Sequence, residues 1–356
     1  MKLLKETLNN ITHGDYEVQK AEMRRIDNLS KPIGSLGTLE SIAVKMAGVT
    51  GKIHNKMSRR NIIVMCADNG VTEEGVSACP KNITAILTEN LTRNSTGVTV
   101  LSKFTGTDVT VVDIGVDAIF NNPLIIDKKV AMGTKNMTKG PAMSYEQAVL
   151  AIEAGISIVD DLSAKGYDIF GTGEMGIGNT TTSAAVLSVL SGLSPEITAG
   201  KGAGLTQGQF ENKKNVIKKA IELNSPEPKD PVDVIAKVGG FDIAGMCGCF
   251  LGAAKNKKPI VIDGFISSAA ALCAVRLSKY VKDYLFPSHL SDEPGAVYMM
   301  KEIGLEPMLN LHMRLGEGSG CPLAFQIIDS ALYAMDNMPT FGEASINSDT
   351  LVDIRK

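Results

Sequence analysis

The residues best suited to chemistry lie in two glycine-rich stretches. The first, Gly171-Thr172-Gly173-Glu174-Met175-Gly176-Ile177-Gly178-Asn179-Thr180-Thr181-Thr182, follows an apolar run and opens a helical pattern. Its glycines let the backbone approach an anion. Asn179 and the threonines can cap a helix whose free N–H groups and dipole favour phosphate. An ordinary glycine-rich turn with a good cap reads the same way. Residues 171–176 also match the G-x-G-x-x-G of dinucleotide sites, but they sit mid-chain. About 20 residues on, Ser191-Gly192-Leu193-Ser194-Pro195 supplies no acid for a ribose hydroxyl.

The second stretch, Leu311-His312-Met313-Arg314-Leu315-Gly316-Glu317-Gly318-Ser319-Gly320-Cys321-Pro322, sets Glu317 between two glycines. Its carboxylate is expected to stand free at a strand end. Loss of water there would raise its pKa and make it a usable base, although a loop glutamate taken alone is usually just solvated. Arg314 could anchor a phosphate by its planar fork. A lookalike, Ile158-Val159-Asp160-Asp161-Leu162-Ser163, suggests the acidic ribose-holding motif of phosphoribosyl-pyrophosphate enzymes. Helical spacing from Val149 onward places these aspartates on a solvated helix end instead. Smaller loops would complete one rim: Ala67-Asp68-Asn69-Gly70-Val71 with Gly75-Val76-Ser77, Gly200-Lys201-Gly202-Ala203-Gly204, Gly239-Gly240-Phe241-Asp242, Asp263-Gly264 and Ser288-His289-Leu290-Ser291.

The elements that must position these loops follow from hydrophobic periodicity. Short apolar runs at Ile62–Cys66, Val109–Ile114, Tyr167–Phe170, Pro259–Ile262, Tyr284–Phe286 and Met308–Leu311 read as strands buried on both faces. Between most of them lie helical patterns. The capping box Ser144-x-x-Gln147 opens one, and others run from about Asn179 to Leu190, Gln209 to Leu223, Phe241 to Ala254, Phe265 to Val281 and Ser319 to Met335. Alternation of this kind predicts an α/β fold with a parallel sheet, whose ligands sit beyond the carboxyl ends of the strands. Residues 1–55 read as charged helices, Gln19–Leu29 and Leu39–Met46, split by Lys31-Pro32-Ile33-Gly34-Ser35-Leu36-Gly37. They are expected to form a small helical domain with 336–356, beside a large α/β catalytic domain over 56–335.

Composition bounds the function. A net charge of −3 gives no basic footprint for nucleic acid, and 10 Phe, 7 Tyr and no Trp give no aromatic platform for single strands. The N-terminus lacks the apolar run of a signal peptide, and Phe265–Val275 is too short to cross a bilayer, so a cytoplasmic protein is expected. The six cysteines read as reduced and mostly buried. Cys247-x-Cys249 fits a small-residue helix face better than a metal site, so no metal and no cofactor are expected.

Taken together these loops resemble the nicotinate-nucleotide:5,6-dimethylbenzimidazole phosphoribosyltransferase family of cobamide lower-ligand assembly. The resemblance runs through Leu29–Gly37, Ala67–Val71, Gly171–Thr182, Gly200–Leu205, Gly239–Gly245, Asp263-Gly264-Phe265 and Arg314-Leu315-Gly316-Glu317-Gly318, nearly the whole chain. It implies transfer of 5-phosphoribose from nicotinate mononucleotide to an aromatic base, giving an α-riboside phosphate and nicotinate. It also implies a Rossmann-like parallel sheet with helices on both faces, and a dimer with itself or with a paralogue. On that basis Glu317 is the catalytic base, and Glu174 positions the ribose or supports the charge developing there. Gly176, Ile177, Gly178, Asn179, Thr180, Lys213, Arg314 and Gly316 hold the phosphoribosyl group, and Ser77, Asn69, Ile86 and Met175 face the acceptor. Lys213 also reads as one lysine of a solvated face with Lys214.

The departures cluster at the acceptor. Asn69 replaces the family's usual histidine and Cys79 an aromatic residue. The segment Pro80–Leu87 lacks the usual glutamine, and Thr92–Gly97 replaces a glycine-alanine-rich stretch. A pocket so changed could take a phenol such as p-cresol in place of dimethylbenzimidazole. Two other readings stand beside the transferase: a non-catalytic partner subunit, and a nicotinamide-dependent oxidoreductase.

Overall fold

Strands rich in Ile and Val associate edge to edge in the computed structural model, which describes residues 1–347 and 352–353. They are β1 (Arg60–Ala67), β2 (Asp108–Gly115), β3 (Ile125–Asp127), β4 (Ile169–Met175), β5 (Ile260–Ile262) and β6 (Leu285–Pro287). All pairs are parallel, in the order β3-β2-β1-β4-β5-β6. The chain runs outward from β1 in one direction and from β4 in the other. That reversal opens a crevice beyond the carboxyl ends of β1 and β4, where doubly wound sheets take their ligands.

Helices cover both faces, as the residue-by-residue alternation of a strand requires. Met65 of β1 meets Gly245 in the helix Phe241–Lys255, while Ile62, of opposite parity, meets the Gly318 loop before the helix Cys321–Asn337. The capping box at Ser144 is formed, with Ser144 Oγ accepting from Gln147 N–H at 3.2 Å and Gln147 Oε1 from Ser144 N–H at 3.0 Å. Asp160, inside that helix (Tyr145–Ala164), pairs with Lys255 at 2.6 Å, consistent with a helix-face role. The cysteines around Gly248 are buried and free, as expected of a small-residue face.

Four sequence expectations differ from the structure. Residues 171–175 are not loop but the end of β4, so the glycines there serve close packing across the sheet. Met308–Leu311 forms no strand, only one parallel bridge from Leu309 to His289. The strand β3 leaves no signal in the sequence, because its three residues follow Pro123 and give no periodicity to read. The helix from Phe265 ends at Leu277 and continues as a tight 3-10 turn over Lys279–Tyr284.

At the chain ends, Arg25 Nη1 donates to the Met335 carbonyl at 2.7 Å, and Leu29 bridges Thr340 in antiparallel fashion. The helix Tyr16–Asp27 and the residues just after it therefore meet the last long helix, Cys321–Asn337, and the chain that follows it. The small domain expected over 336–356 falls partly outside the described residues. The first helix, Lys2–Asn10, lies against the α/β body through Leu4 N–H on Glu153 Oε1 at 2.9 Å. Among the described residues no helix is long and apolar enough to cross a membrane.

The helices Tyr145–Ala164 and Phe241–Lys255 touch backbone to backbone. A Cβ on Gly248 would stand 2.0 Å from the Ile152 carbonyl oxygen, and one on Gly155 would stand 1.9 Å from that of Gly245. Any side chain there must push the helices apart. Gly248→Ala is expected to cost about 1–3 kcal/mol of stability, read as a lowered urea midpoint at unchanged m-value.

Candidate active site

The crevice holds a cavity of about 290 Å³ between the ends of β4 and β5 and the loops after them. Its floor is the Gly316-Glu317-Gly318 turn, with φ of +86°, +63° and +92°. Only glycine adopts such values freely, so Glu317 is held there by what surrounds it. Its backbone lies flat on β4: a Cβ on Gly173 would stand 2.1 Å from the Glu317 carbonyl oxygen. Asp263, just beyond β5, accepts from Gly320 N–H at 2.7 Å and from Gly318 N–H at 3.0 Å, tying the turn down from the other side.

The Glu317 side chain is buried, where the sequence suggested a free carboxylate. Its Oε2 accepts from Val98 N–H at 3.0 Å, in the first turn of the helix Gly97–Thr105. Thr96 and Gly97, part of the departing segment 92–97, thus frame the candidate base. Burial raises its pKa, opposed by the hydrogen bonds from Val98, Gly97 and Thr96.

Glu174 faces it from the end of β4. Its Oε1 accepts from Glu317 N–H at 3.2 Å and its Oε2 from Asn179 Nδ2. Burial and then the nearby Asp242 push its pKa up to about 8. Asp242 and Asp263 are likewise raised by burial, to about 6 and about 7. Among the described residues none of Glu174, Asp242 and Glu317 has a lysine or arginine within 4.0 Å, and Asp263 has only His289 at 3.9 Å. Four acids therefore converge with no cation to balance them.

The opposite wall presents free backbone N–H groups and a buried lysine. The helix Asn179–Ser191 starts after Gly178 (φ +89°), and no side chain caps its first turn. Lys213 is fully buried rather than part of a solvated face, and burial lowers its pKa to about 8. Its Nζ donates to Thr180 Oγ1 at 2.7 Å and to the Gly200 carbonyl at 3.0 Å. Lys214, its neighbour, pairs with Glu211. Arg314 reaches the cavity from the rim, exposed and 3.5 Å from Asp292.

Of the residues singled out in the sequence, Glu174, Glu317, Gly316, Arg314, Gly176, Ile177, Gly178, Asn179, Thr180, Ser77 and Met175 line this cavity. Lys213 stands behind Thr180. Asn69 is buried behind Gly176, with neither side-chain atom hydrogen-bonded. Ile86 is a correction: it is exposed, and Ile83 and Leu87 of the same helix line the cavity in its place. The sequence of this short segment does not fix which side of the helix faces the cavity. The loops of Asp242, Asp263 and His289 read as rim in the sequence, but nothing there marks Asp242 and Asp263 as members of one acid cluster. Glu293, which accepts from Gly202 N–H at 3.1 Å, gives no signal before a proline. Among the described residues no three His, Cys, Asp or Glu side chains group as metal ligands.

The raised acids have a consequence for stability. Glu174 moves from an ordinary 4.5 to about 8 on folding, so the folded chain holds more protons than the unfolded one between those values. Stability contributed by this group is full below about pH 4.5 and is lost as pH rises toward 8. Glu174→Gln is expected to flatten the decline in melting temperature of the ligand-free protein between pH 5 and 8, measured against the parent in matched buffers.

A family model described as phosphoribosyltransferase matches residues 11–346. A Clostridium tetani protein named nicotinate-nucleotide–dimethylbenzimidazole phosphoribosyltransferase is 58% identical, over 100% of this chain and 99% of that protein. A Clostridium acetobutylicum protein of the same name is 51% identical, over 96% and 97% of the two chains. A solved structure of the enzyme so named from Thermus thermophilus superposes with a TM-score of 0.88 at 34% identity, covering 94% of this chain and 99% of that one.

Proposed function

Because the chain belongs to the nicotinate-nucleotide–dimethylbenzimidazole phosphoribosyltransferase family, we propose that it moves 5-phosphoribose from nicotinate mononucleotide to an aromatic lower-ligand base for cobamide synthesis. One observation carries this reading: the buried carboxylates of Glu174, Asp263 and Glu317, with Asp242 behind them and, among the described residues, no lysine or arginine within 4.0 Å, line a cavity whose other wall is an uncapped helix N-terminus backed by Lys213. The donor substrate has the matching pattern, a cationic pyridinium ring on a sugar that ends in a phosphate. Its charge would replace the missing counter-ion of the acid cluster and draw those carboxyls back toward their ionised forms.

The chemistry then balances without further reactants. The bond between the anomeric carbon and the pyridinium nitrogen breaks, and its electron pair neutralises the ring, so nicotinate leaves without a proton. The acceptor nitrogen bonds to the anomeric carbon from the opposite face, inverting it to the α-riboside, and the acceptor's ring N–H proton passes to Glu317. Positive charge spread over the sugar in the transition state is stabilised by Glu174 and its acidic neighbours. The phosphate is held by the backbone of Gly176–Thr180, by Thr180 with Lys213 behind it, and by Arg314.

Val76, Cys79, Ile83, Leu87, Met175 and Leu315 give the acceptor an apolar berth. Such a wall reads shape and ring area more than polar groups, and it suits dimethylbenzimidazole; a phenol would present one proton to the same base. In this reading the helices Tyr16–Asp27 and Thr38–Thr50, with the chain around Thr340, form a small domain, and two copies associate as a dimer. Nicotinate mononucleotide offered with dimethylbenzimidazole, adenine, phenol and p-cresol together tests the proposal by mass spectrometry of the riboside phosphates. Dimethylbenzimidazole riboside phosphate is expected to dominate. Absence of any riboside product from the folded protein would overturn the transferase reading, and a phenolic product alone would overturn the acceptor assignment.

A further inference from the structure

Asn179 opens the helix of the anion-facing wall, yet its side chain turns away from that wall into the acid cluster. Its Nδ2 donates to Glu174 Oε2 and, at 2.9 Å, to Asp242 Oδ2. One amide nitrogen therefore joins carboxylates from two elements, the end of β4 and the first turn of the helix Phe241–Lys255. Asp242 is fully buried and stands behind the cavity wall. Its Oδ1 accepts from Ile243 N–H at 3.0 Å, which fixes the carboxylate against its own helix. Glu174 Oε1 in turn accepts the Glu317 N–H. There is no slack in the surroundings: a Cβ on Gly240 would stand 2.3 Å from Asp242 Oδ1, and one on Gly176 would stand 2.8 Å from Oδ2. Each polar group in this chain is oriented by the next.

We propose that Asp242 is a positioning residue for the transfer reaction, acting through Asn179 to orient Glu174 and, through it, the Glu317 turn. The inference rests on the function proposed above and reassigns the Asn179 side chain from the phosphate to the acids. Phosphate contacts in that turn then fall to the backbone and to Thr180. Asp242 also sets the charge that Glu174 experiences. Glu174 faces Asp242, Asp263, the Glu317 backbone and the Cys66 thiol of β1, and Asp68 lies near Asp242. Removing the Asp242 charge lowers the titration midpoint of Glu174, whereas removing the Asn179 donor raises it.

Three variants separate the roles. Asp242→Asn keeps the shape but offers one acceptor oxygen to two donors, Ile243 N–H and Asn179 Nδ2. Asn179→Ser removes the bridging amide, and Thr180→Val removes a phosphate contact. The readouts are kcat and KM for nicotinate mononucleotide across pH, with carbon-13 NMR titration of the Glu174 carboxyl in the ligand-free protein. Asp242→Asn and Asn179→Ser are each expected to lower kcat roughly 10- to 100-fold with little change in KM, and Thr180→Val to raise KM. The Glu174 midpoint is expected to fall in Asp242→Asn and rise in Asn179→Ser. A raised KM with intact kcat in Asn179→Ser would return that side chain to the phosphate and overturn the proposal. A Glu174 titration unmoved in both folded variants would overturn it too. If Asp242→Asn does not fold, the Asn179→Ser titration decides alone. The NMR arm needs no turnover, so a failure of the transferase reading would leave this inference still decided.

Discussion

The carbonyl of Glu317 rests on the bare Cα of Gly173, and the site depends on that approach. A methyl group on Gly173 would stand 2.1 Å from the carbonyl oxygen, inside any tolerable contact. The turn can therefore reach the sheet only where β4 carries a glycine, and once there it lies against a central strand paired on both sides. Asp263 holds its far side through two backbone N–H groups, and Val98 holds the carboxylate itself. A residue with φ of +63° is thus kept in one conformation by the strand below it, the β5 loop beside it and a helix N-terminus ahead of it. Positional precision at the candidate base comes from the sheet and not from the loop's own preferences.

That placement has an electrostatic cost which the proposed reaction turns to use. Buried carboxylates are destabilised by lost hydration, and clustering adds like-charge repulsion, so the ligand-free acids hold protons into the neutral range. A folded protein keeps such an arrangement at the expense of stability unless something supplies the counter-charge. A cationic donor and an oxocarbenium-like transition state supply it at the moment of reaction, with the protein dipoles already in place. In the proposed reaction the uncapped helix end across the cavity would keep the phosphate on the other wall, orienting the sugar between them. Both walls belong to the crevice that the reversal of strand order creates between β1 and β4.

Much of this is legible in the sequence, and the misses have physical reasons. Apolar runs locate five of the six strands, because strands buried on both faces need unbroken apolar sequence. The capping box at Ser144 marks a helix start to the residue. The Gly171–Thr182 stretch reads as one anion-binding loop, whereas its first half is strand: a glycine needed for close sheet packing and one needed for a ligand look alike in sequence. Lys213 illustrates the reverse ambiguity, since adjacent lysines on a helix conceal which one points inward. Ile86 is displaced from the pocket by helix rotation, which short mixed-polarity segments do not define. The coupling of Asn179 to Asp242 joins residues far apart in the chain, and no spacing rule announces it.

Removal of the acceptor's proton by Glu317 is the central claim, and Glu317→Gln tests it most directly. Glutamine retains an oxygen to accept from Val98 N–H, so the turn should stay in place and calorimetry should show donor affinity close to that of the parent. Single-turnover rates with nicotinate mononucleotide and dimethylbenzimidazole are predicted to fall roughly 10²–10⁴-fold, the usual loss on deleting a general base. A folded variant that binds the donor and turns over at the parent rate would contradict the account.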